Sequence, residues 1–223
     1  RRFEYDIRVG DDADKASLDL KLTTHSVLTN IKFDAKEGFD LKVGALGRYQ
    51  TNFANPDTGV RRLIPDYDKY DFGLFAIGRY ELNKDWTLDA GTRYDFSRID
   101  SKKFYRVSRW EERGYDVDFA DIIIEDLGTQ LLVNPVFDYH NFSGTAGFHY
   151  ELNDKDHLRF NYAYSQRAPN PSELFSDGLH HSAARIELGD LRIKSETSSK
   201  LSVSLERNTS KWGYTFAPFL NSM

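Results

Sequence analysis

The chain has 223 residues, a formal net charge of -5 and no cysteine, with a mean hydropathy of -0.61. The missing thiols exclude a disulfide framework, a zinc ribbon and thiol catalysis together, and a pI near 5.7 argues against a nucleic-acid binder, which needs a basic footprint. No apolar run is long enough for a transmembrane helix, yet a transmembrane β-barrel stays open, because only alternate residues of its strands meet lipid.

In chain order, the aromatic and aliphatic residues fall on alternate positions. Phe3, Tyr5, Ile7 and Val9 interleave with Glu4, Asp6 and Arg8, and Leu18, Leu20 and Leu22 with Asp19 and Lys21. The apolar phase then moves to Val27, Ile31 and Phe33, which predicts a bulge near Thr24–Ser26, since one inserted residue flips the faces of a strand. After the turn Ala35–Gly38 come Phe39, Leu41, Val43, Ala45 and Tyr49. Phe72, Leu74, Ala76, Gly78, Tyr80 and Leu82 follow, then the polar turn Asn83–Asp85, then Trp86, Leu88, Ala90, Thr92, Tyr94 and Phe96. Phe142 to Leu152 and Leu158 to Tyr164 repeat the pattern around the turn Asn153–Asp156, and Leu201, Val203 and Leu205 lead through Asn208–Ser210 to Trp212, Tyr214 and Phe216. Period two sustained in this way predicts nine strands, each with one apolar and one polar face.

The links between strands, roughly 10–16, 34–38, 54–70, 83–85, 97–140, 153–156, 166–195 and 209–211, alternate between tight and long from the second onward. Outer-membrane barrels alternate so, with tight turns in the periplasm and long loops outside. Aromatics stand at strand ends near the tight turns (Tyr80, Trp86, Tyr150, Phe160, Trp212), as in the girdles of a lipid–water boundary. The expected fold class is therefore all-β, an antiparallel transmembrane β-barrel; a soluble antiparallel sheet with an aromatic core is the alternative. The chain opens inside a strand with no signal peptide, and nine strands are an odd number that cannot close the usual bacterial barrel, so residues 1–223 are expected to be one partial barrel domain.

Residues 162–196 carry a more specific signal. Tyr164-Ser-Gln-Arg-Ala-Pro-Asn-Pro-Ser-Glu-Leu-Phe175, Asp177-Gly-Leu-His-His181, Glu187-Leu-Gly-Asp190 and Ser195-Glu196 resemble a late extracellular loop and descending strand of TonB-dependent outer-membrane receptors. Arg1–Arg8 with Ser17–Leu20, Leu63–Tyr67 and Ala90–Asp95 resemble earlier hairpins of the same family. The resemblance implies a 22-stranded barrel with an N-terminal plug, of which this chain is the middle-to-late part, without plug, TonB box or terminal aromatic. It implies an active-transport receptor of the Gram-negative outer membrane rather than an enzyme, one that binds a scarce nutrient outside and imports it through the TonB–ExbB–ExbD complex. The default substrate by that resemblance is a ferric siderophore or another metal chelate, with no intrinsic cofactor. A haem or zinc receptor of the same family, a passive porin and a soluble β-rich binding module are the other readings. In the haem branch Gln166 stands where a phenylalanine is expected and Gly189–Ile193 where an N-P-N-L box is expected.

Among individual residues, Arg167, Pro169, Glu173, Gly178, Glu187 and Glu196 belong to the motif. Arg167 and Glu173 are expected to tie the loop to the wall, while Pro169 and Pro171 fix φ and remove donors where the chain leaves the strand. Candidate substrate contacts are His180, His181, Arg167, Arg61 and Arg62, with Arg106, Arg109 and Arg113 as further cations for an anionic chelate. His180 and His181 are the candidate metal ligands, against a structural role in which one imidazole bonds Glu187. The acidic segment Glu111–Asp126 lacks the glycine of a calcium loop and reads as solvated loop.

Overall fold

A computed structural model describes residues 2–5, 16–58, 62–180 and 183–223. Arg61, His181 and the end of the first expected strand (Ile7 and Val9) lie outside the described residues. Strands β1 (Arg2–Tyr5), β2 (Ala16–Lys36), β3 (Phe39–Ala54), β4 (Asp66–Glu81) and β5 (Trp86–Arg106) come first. Two short helices, α1 (Val107–Glu112) and α2 (Tyr115–Asp118), and two short strands, β6 (Ile123–Asp126) and β7 (Gln130–Val133), precede β8 (Val136–Asn153) and β9 (Asp156–Arg167). Helix α3 (Pro171–Phe175), strands β10 (Asp177–His180) and β11 (Arg185–Leu188), and then β12 (Glu196–Asn208), β13 (Gly213–Phe216) and β14 (Phe219–Ser222) complete the chain.

The wall is one open antiparallel sheet in the order β1-β2-β3-β4-β5-β8-β9-β12-β13, with β14 also on β12. β13 and β14 continue one register along β12, from Leu205↔Phe216 to Leu201↔Leu220, and Pro218, which has no N–H to donate, separates them. This gives the nine wall positions expected from the alternation. β6, β7, β10 and β11 lie outside that row and were not anticipated.

Register makes the single strands into a surface. Val43 opposes Ala76, Ala76 opposes Thr92, Thr92 opposes Gly144 and Gly144 opposes Tyr164. Directly paired residues share a face, so the uncharged phases merge into one continuous apolar belt. Its exposure is the signature: Leu28 aside, Val27, Ile31, Phe72, Leu74 and Phe142 each expose about half or more of their surface. At the turn end Phe39 meets Tyr80 edge-on and Trp86 stacks on Tyr150 at 4.4 Å. At the other end Tyr49 stacks on Tyr70 at 5.0 Å, and the Tyr94 hydroxyl lies 2.6 Å from His140 Nδ1. From Tyr70 to Tyr80 is ten steps of strand, about 33 Å, which a tilt of about 40° reduces to about 25 Å, the height of the outward apolar band of an outer-membrane barrel. Just above Tyr70 and Phe96 the same phase turns charged, at Asp68, Arg98 and Asp138, and Arg98 Nη1 donates to Asp138 Oδ2 at 3.3 Å. Among the described residues no helix is long and apolar enough to cross a membrane.

Two sequence expectations are corrected. There is no bulge near Thr24–Ser26: β2 and β3 keep one register from Leu20↔Ala54 to Asp34↔Asp40. The apolar phase changes because the burial changes. Below, Val27, Ile31 and Phe33 face out from the belt; above it Leu18 and Leu20 turn inward and are buried with Ala54 and Leu63 of the 55–65 link. The long links are also shorter than 54–70 and 97–140, because β4 begins at Asp66, β5 continues to Arg106 and β8 begins at Val136. Those strand extensions lie above the belt, where Ser97, Ile99, Ser101, Lys103 and Tyr105 are buried on the inner phase.

Candidate functional site

The links 107–135 and 168–195 fold together over the inner face at the end opposite the tight turns. Their shared core holds Ile99, Tyr105, Trp110, Tyr115, Leu131, Val133, Leu174, Phe175 and Leu191. The aromatics pack ring against ring, Tyr105 tilted on Trp110 and Trp110 edge-on to Tyr115, both at 5.2 Å between centroids. Segment 111–126 is thus not only solvated loop. Its Asp116, Asp118, Asp121, Glu125 and Asp126 stand in water, but Tyr115 between them is fully buried.

The local sequence explains how 168–195 is folded. Arg167 ends β9, and Pro169 is fully buried where the chain leaves the wall. Asn170 then caps α3, accepting from the amides of Ser172 and Glu173 at 3.1 Å, while Glu173 Oε2 accepts from the Asn170 amide at 2.9 Å. That is a capping box with Pro171 in the first turn, where its missing N–H is not needed. The helix thereby drives Leu174 and Phe175 into the cap core. Arg167 donates to both oxygens of Glu173 through its terminal nitrogens, at 3.1 and 3.0 Å, and reaches Glu196, its cross-strand partner on β12, at 2.7 Å. Hydrogen bonds from Arg167 hold the Glu173 carboxyl below the usual carboxylate range, and Glu173 and Glu196 push the guanidinium well above its own.

The same segment docks on the helical link through Gly189–Arg192. The Tyr115 hydroxyl donates to Asp190 Oδ1 at 2.9 Å and accepts from the Leu191 amide at 3.0 Å. Arg113 Nη1 donates to the Gly189 carbonyl at 3.0 Å, and the Arg192 guanidinium lies 4.7 Å over the Tyr115 ring while binding Asp118. Burial opposes ionisation of Asp190, yet the Arg192 amide and the Tyr115 hydroxyl outweigh it and keep the carboxyl below its ordinary range. Beneath, Asp177 is 1% exposed, with Lys103 Nζ at 3.8 Å and Arg113 Nη2 at 3.6 Å, and its amide donates to the Leu63 carbonyl at 3.1 Å. Lys103 also donates to the Phe175 carbonyl. All three long links are therefore tied to one another.

Of the candidate residues, Arg167, Glu173 and Glu196 form one cluster. Gly178 opposes Glu187 in the β10–β11 hairpin, and His180 Nδ1 lies 2.7 Å from Glu187 Oε1, which also accepts from Arg185. His180 and Arg185 together hold the Glu187 carboxyl below its ordinary range. His181, the other half of the histidine pair, lies outside the described residues, as does Arg61. Arg62 donates to Asp66 at 3.0 Å. Arg113 is turned inward to Gly189 and Asp177, so it is not presented to an external anion; Arg106 and Arg109 have no ion-pair partner among the described residues. The sequence reading missed a second histidine cluster, His149, Glu151 and His157, at the opposite end of the wall. Its signal was there to read: i and i+2 on one strand share a face, and a tight turn brings the next strand's residue opposite.

The family model described as TonB dependent receptor-like, beta-barrel, matches residues 2–222. The chain belongs to this family. Its members are transport receptors of the Gram-negative outer membrane and not enzymes. Among curated relatives, the ferric aerobactin receptor of Klebsiella pneumoniae is 22% identical over 154 residues, 68% of this chain and 20% of that receptor. Among solved structures, the copper transporter OprC superposes with a TM-score of 0.65 at 15% identity, over 91% of this chain and 31% of OprC. The Serratia marcescens hemophore receptor HasR, in complex with its hemophore HasA and heme, gives 0.63 at 16%, over 92% of this chain and 34% of HasR. The ferric-catecholate import receptor Fiu of Escherichia coli K12 gives 0.57 at 17%, over 92% and 31%. The chain thus spans about a fifth to a third of the proteins it matches, and at these identities the structural likeness establishes the TonB-dependent receptor fold alone.

Proposed function

We propose that residues 1–223 are part of the barrel domain of an active-transport receptor that binds a metal chelate, by default a ferric siderophore, at its outer mouth and imports it with TonB-derived energy. The observation that carries this reading is the folded cap: links from different hairpins share one aromatic core across the mouth. A passive pore works through an unobstructed mouth, and a structured cap with its own buried core is a recognition surface on a rigid scaffold. The exposed apolar belt counts against a soluble module, since unburied Val27, Leu74, Phe142 and Phe216 would leave one face of such a module wet and aggregation-prone.

In this reading the tight turns face the periplasm, where TonB–ExbB–ExbD couples energy to a plug. The inner face supports a plug as well: Leu28 and Ile77 are exposed there, 61% and 51%, among charged neighbours such as Lys42 and Arg93. Arg106 and Arg109 are the cations best left for an anionic chelate, with His180 and His181 at the same mouth. The test is uptake of labelled ferric chelates by cells carrying the full receptor, with and without a proton uncoupler. Saturable uptake abolished by the uncoupler, with surface binding retained, is the expected result; uncoupler-insensitive flux would overturn the reading in favour of a pore. Loss of binding in a His180→Ala, His181→Ala variant at normal surface expression would assign the pair to substrate, and unchanged affinity would leave His180 as the structural partner of Glu187.

A further inference from the structure

At the tight-turn end of the wall, on the inner face and away from the cap, β8 and β9 bring together three side chains with metal-ligand chemistry. Glu151 and His157 are register partners across the hairpin, and His149, two residues back along β8, shares their face. The two imidazoles meet edge to face at 5.7 Å between centroids, and His157 Nδ1 is 3.6 Å from Glu151 Oε2. One ligand atom from each residue lies within 4.8 Å of the other two. Two ligands held about 2.1 Å from a tetrahedral zinc ion are about 3.4 Å apart, so His157 and Glu151 already stand near ligand spacing and the third donor needs only a side-chain adjustment.

A second observation points the same way. His149 Nε2 and His157 Nδ1 are shielded from solvent and have no hydrogen-bond partner among the described residues. Such nitrogens normally find a donor or acceptor; a cation between them would satisfy both at once. Arg159, opposite His149, works against a cation, but it leans toward Glu206, 3.9 Å away.

We propose that His149, Glu151 and His157 form a site for a divalent transition-metal ion on the inner wall beside the 154–155 turn. Two imidazoles and one carboxylate suit zinc, copper(II) or nickel rather than calcium or magnesium, which need an oxygen-rich set. Three protein ligands leave one coordination position open, as in a site that exchanges its ion or an exogenous group rather than a closed structural one. This assignment is independent of the substrate bound at the mouth.

The test uses the full receptor in detergent, stripped with chelator and titrated with Cu²⁺. One equivalent of copper with nitrogen hyperfine structure in its electron paramagnetic resonance spectrum is expected. A His149→Gln, His157→Gln variant should lose that structure and bind at least tenfold more weakly, while His180→Ala, His181→Ala should keep it. An unchanged signal in the first variant would overturn the site, and loss in the second would move it to the mouth. If the first variant does not fold, judged by resistance to unfolding in dodecyl sulfate without heating, the wild-type receptor decides. Zn²⁺ should then protect His149 and His157, but not His25 or His140, from diethylpyrocarbonate, and modification unaffected by Zn²⁺ would refute the proposal.

Discussion

Glu173 does three things with one carboxylate: it closes the capping box on Asn170, receives both arms of Arg167 and so seats α3 beneath the cap. Because its folded-state pKa is depressed, as are those of Glu187 and Asp190, the stability these groups contribute is present above the unfolded carboxylate range and lost as pH falls through the folded values. Acidification below about pH 4 should therefore loosen the cap before the wall. Hydrogen exchange of peptides spanning 171–191, corrected for intrinsic rate, should rise while exchange of β4 and β5 holds. Arg167→Lys keeps the charge but not the fork, and since Arg167 is half exposed it should cost only about 1 kcal/mol, read as faster exchange in the same peptides. Gly189→Ala should cost more. A Cβ there would lie 2.6 Å from the Glu173 carbonyl oxygen and the Leu174 carbonyl carbon, both backbone atoms, and such overpacking costs about 1–3 kcal/mol.

Strands of this length do two jobs in succession. From Trp86 to Phe96 the even phase of β5 meets lipid; from Ser97 to Tyr105 the odd phase is buried under the cap. The same sequence period serves both, with the working face exchanged at the level of Arg98. Ala90, opposite Gly78 and Ala146 in the middle of the belt, is the position at which a charge is least tolerated. Ala90→Arg should destabilise the folded barrel by about 2–4 kcal/mol, measured by denaturant unfolding in lipid vesicles. Thr145→Arg, on the exposed inner phase of β8, is the matched control and should show no such penalty. Gly91, though next to Ala90, is a poor control, because a Cβ there would come within 3.2 Å of Thr145 Cγ2. Equal destabilisation at Ala90 and Thr145 would remove the distinction between the two faces.

At the scale of the molecule, all the tight turns fall at one end of the sheet and the cap at the other. Sidedness follows from labelling in the full receptor with a membrane-impermeant maleimide. Val117→Cys, at a position 81% exposed on the cap, should react on intact cells, and Lys84→Cys, in the β4–β5 turn, only after the outer membrane is breached. The reverse would invert the orientation. Ser101 sits in the 97–140 segment first read as a loop, but it is buried in β5 and donates to the Asp66 carbonyl, so it is no place for such a probe.

Alternation alone carried the number of wall positions, the antiparallel order, the tight-turn positions and the exposed apolar face, because period two is a local property and each belt residue meets the same solvent regardless of its neighbours. The Arg167–Glu173 tie was legible because its partners are only six residues apart, whereas helix α3 and its capping box on Asn170 were not anticipated within a segment read as loop. Leu18 and Leu20 show the limit. Their shifted phase looked like an inserted residue, and only the arrival of Leu63 from a distant link reveals a change of burial in an unbroken register. The cap core joins Trp110 to Leu174 and Leu191, and the His149–Glu151–His157 cluster depends on which residues the 154–155 turn sets opposite. That the three cluster residues share a face was readable from the hairpin. The cap contacts and the spacing of the ligand atoms were decided by tertiary structure, since burial and side-chain approach are set through space and leave no periodic trace along the chain.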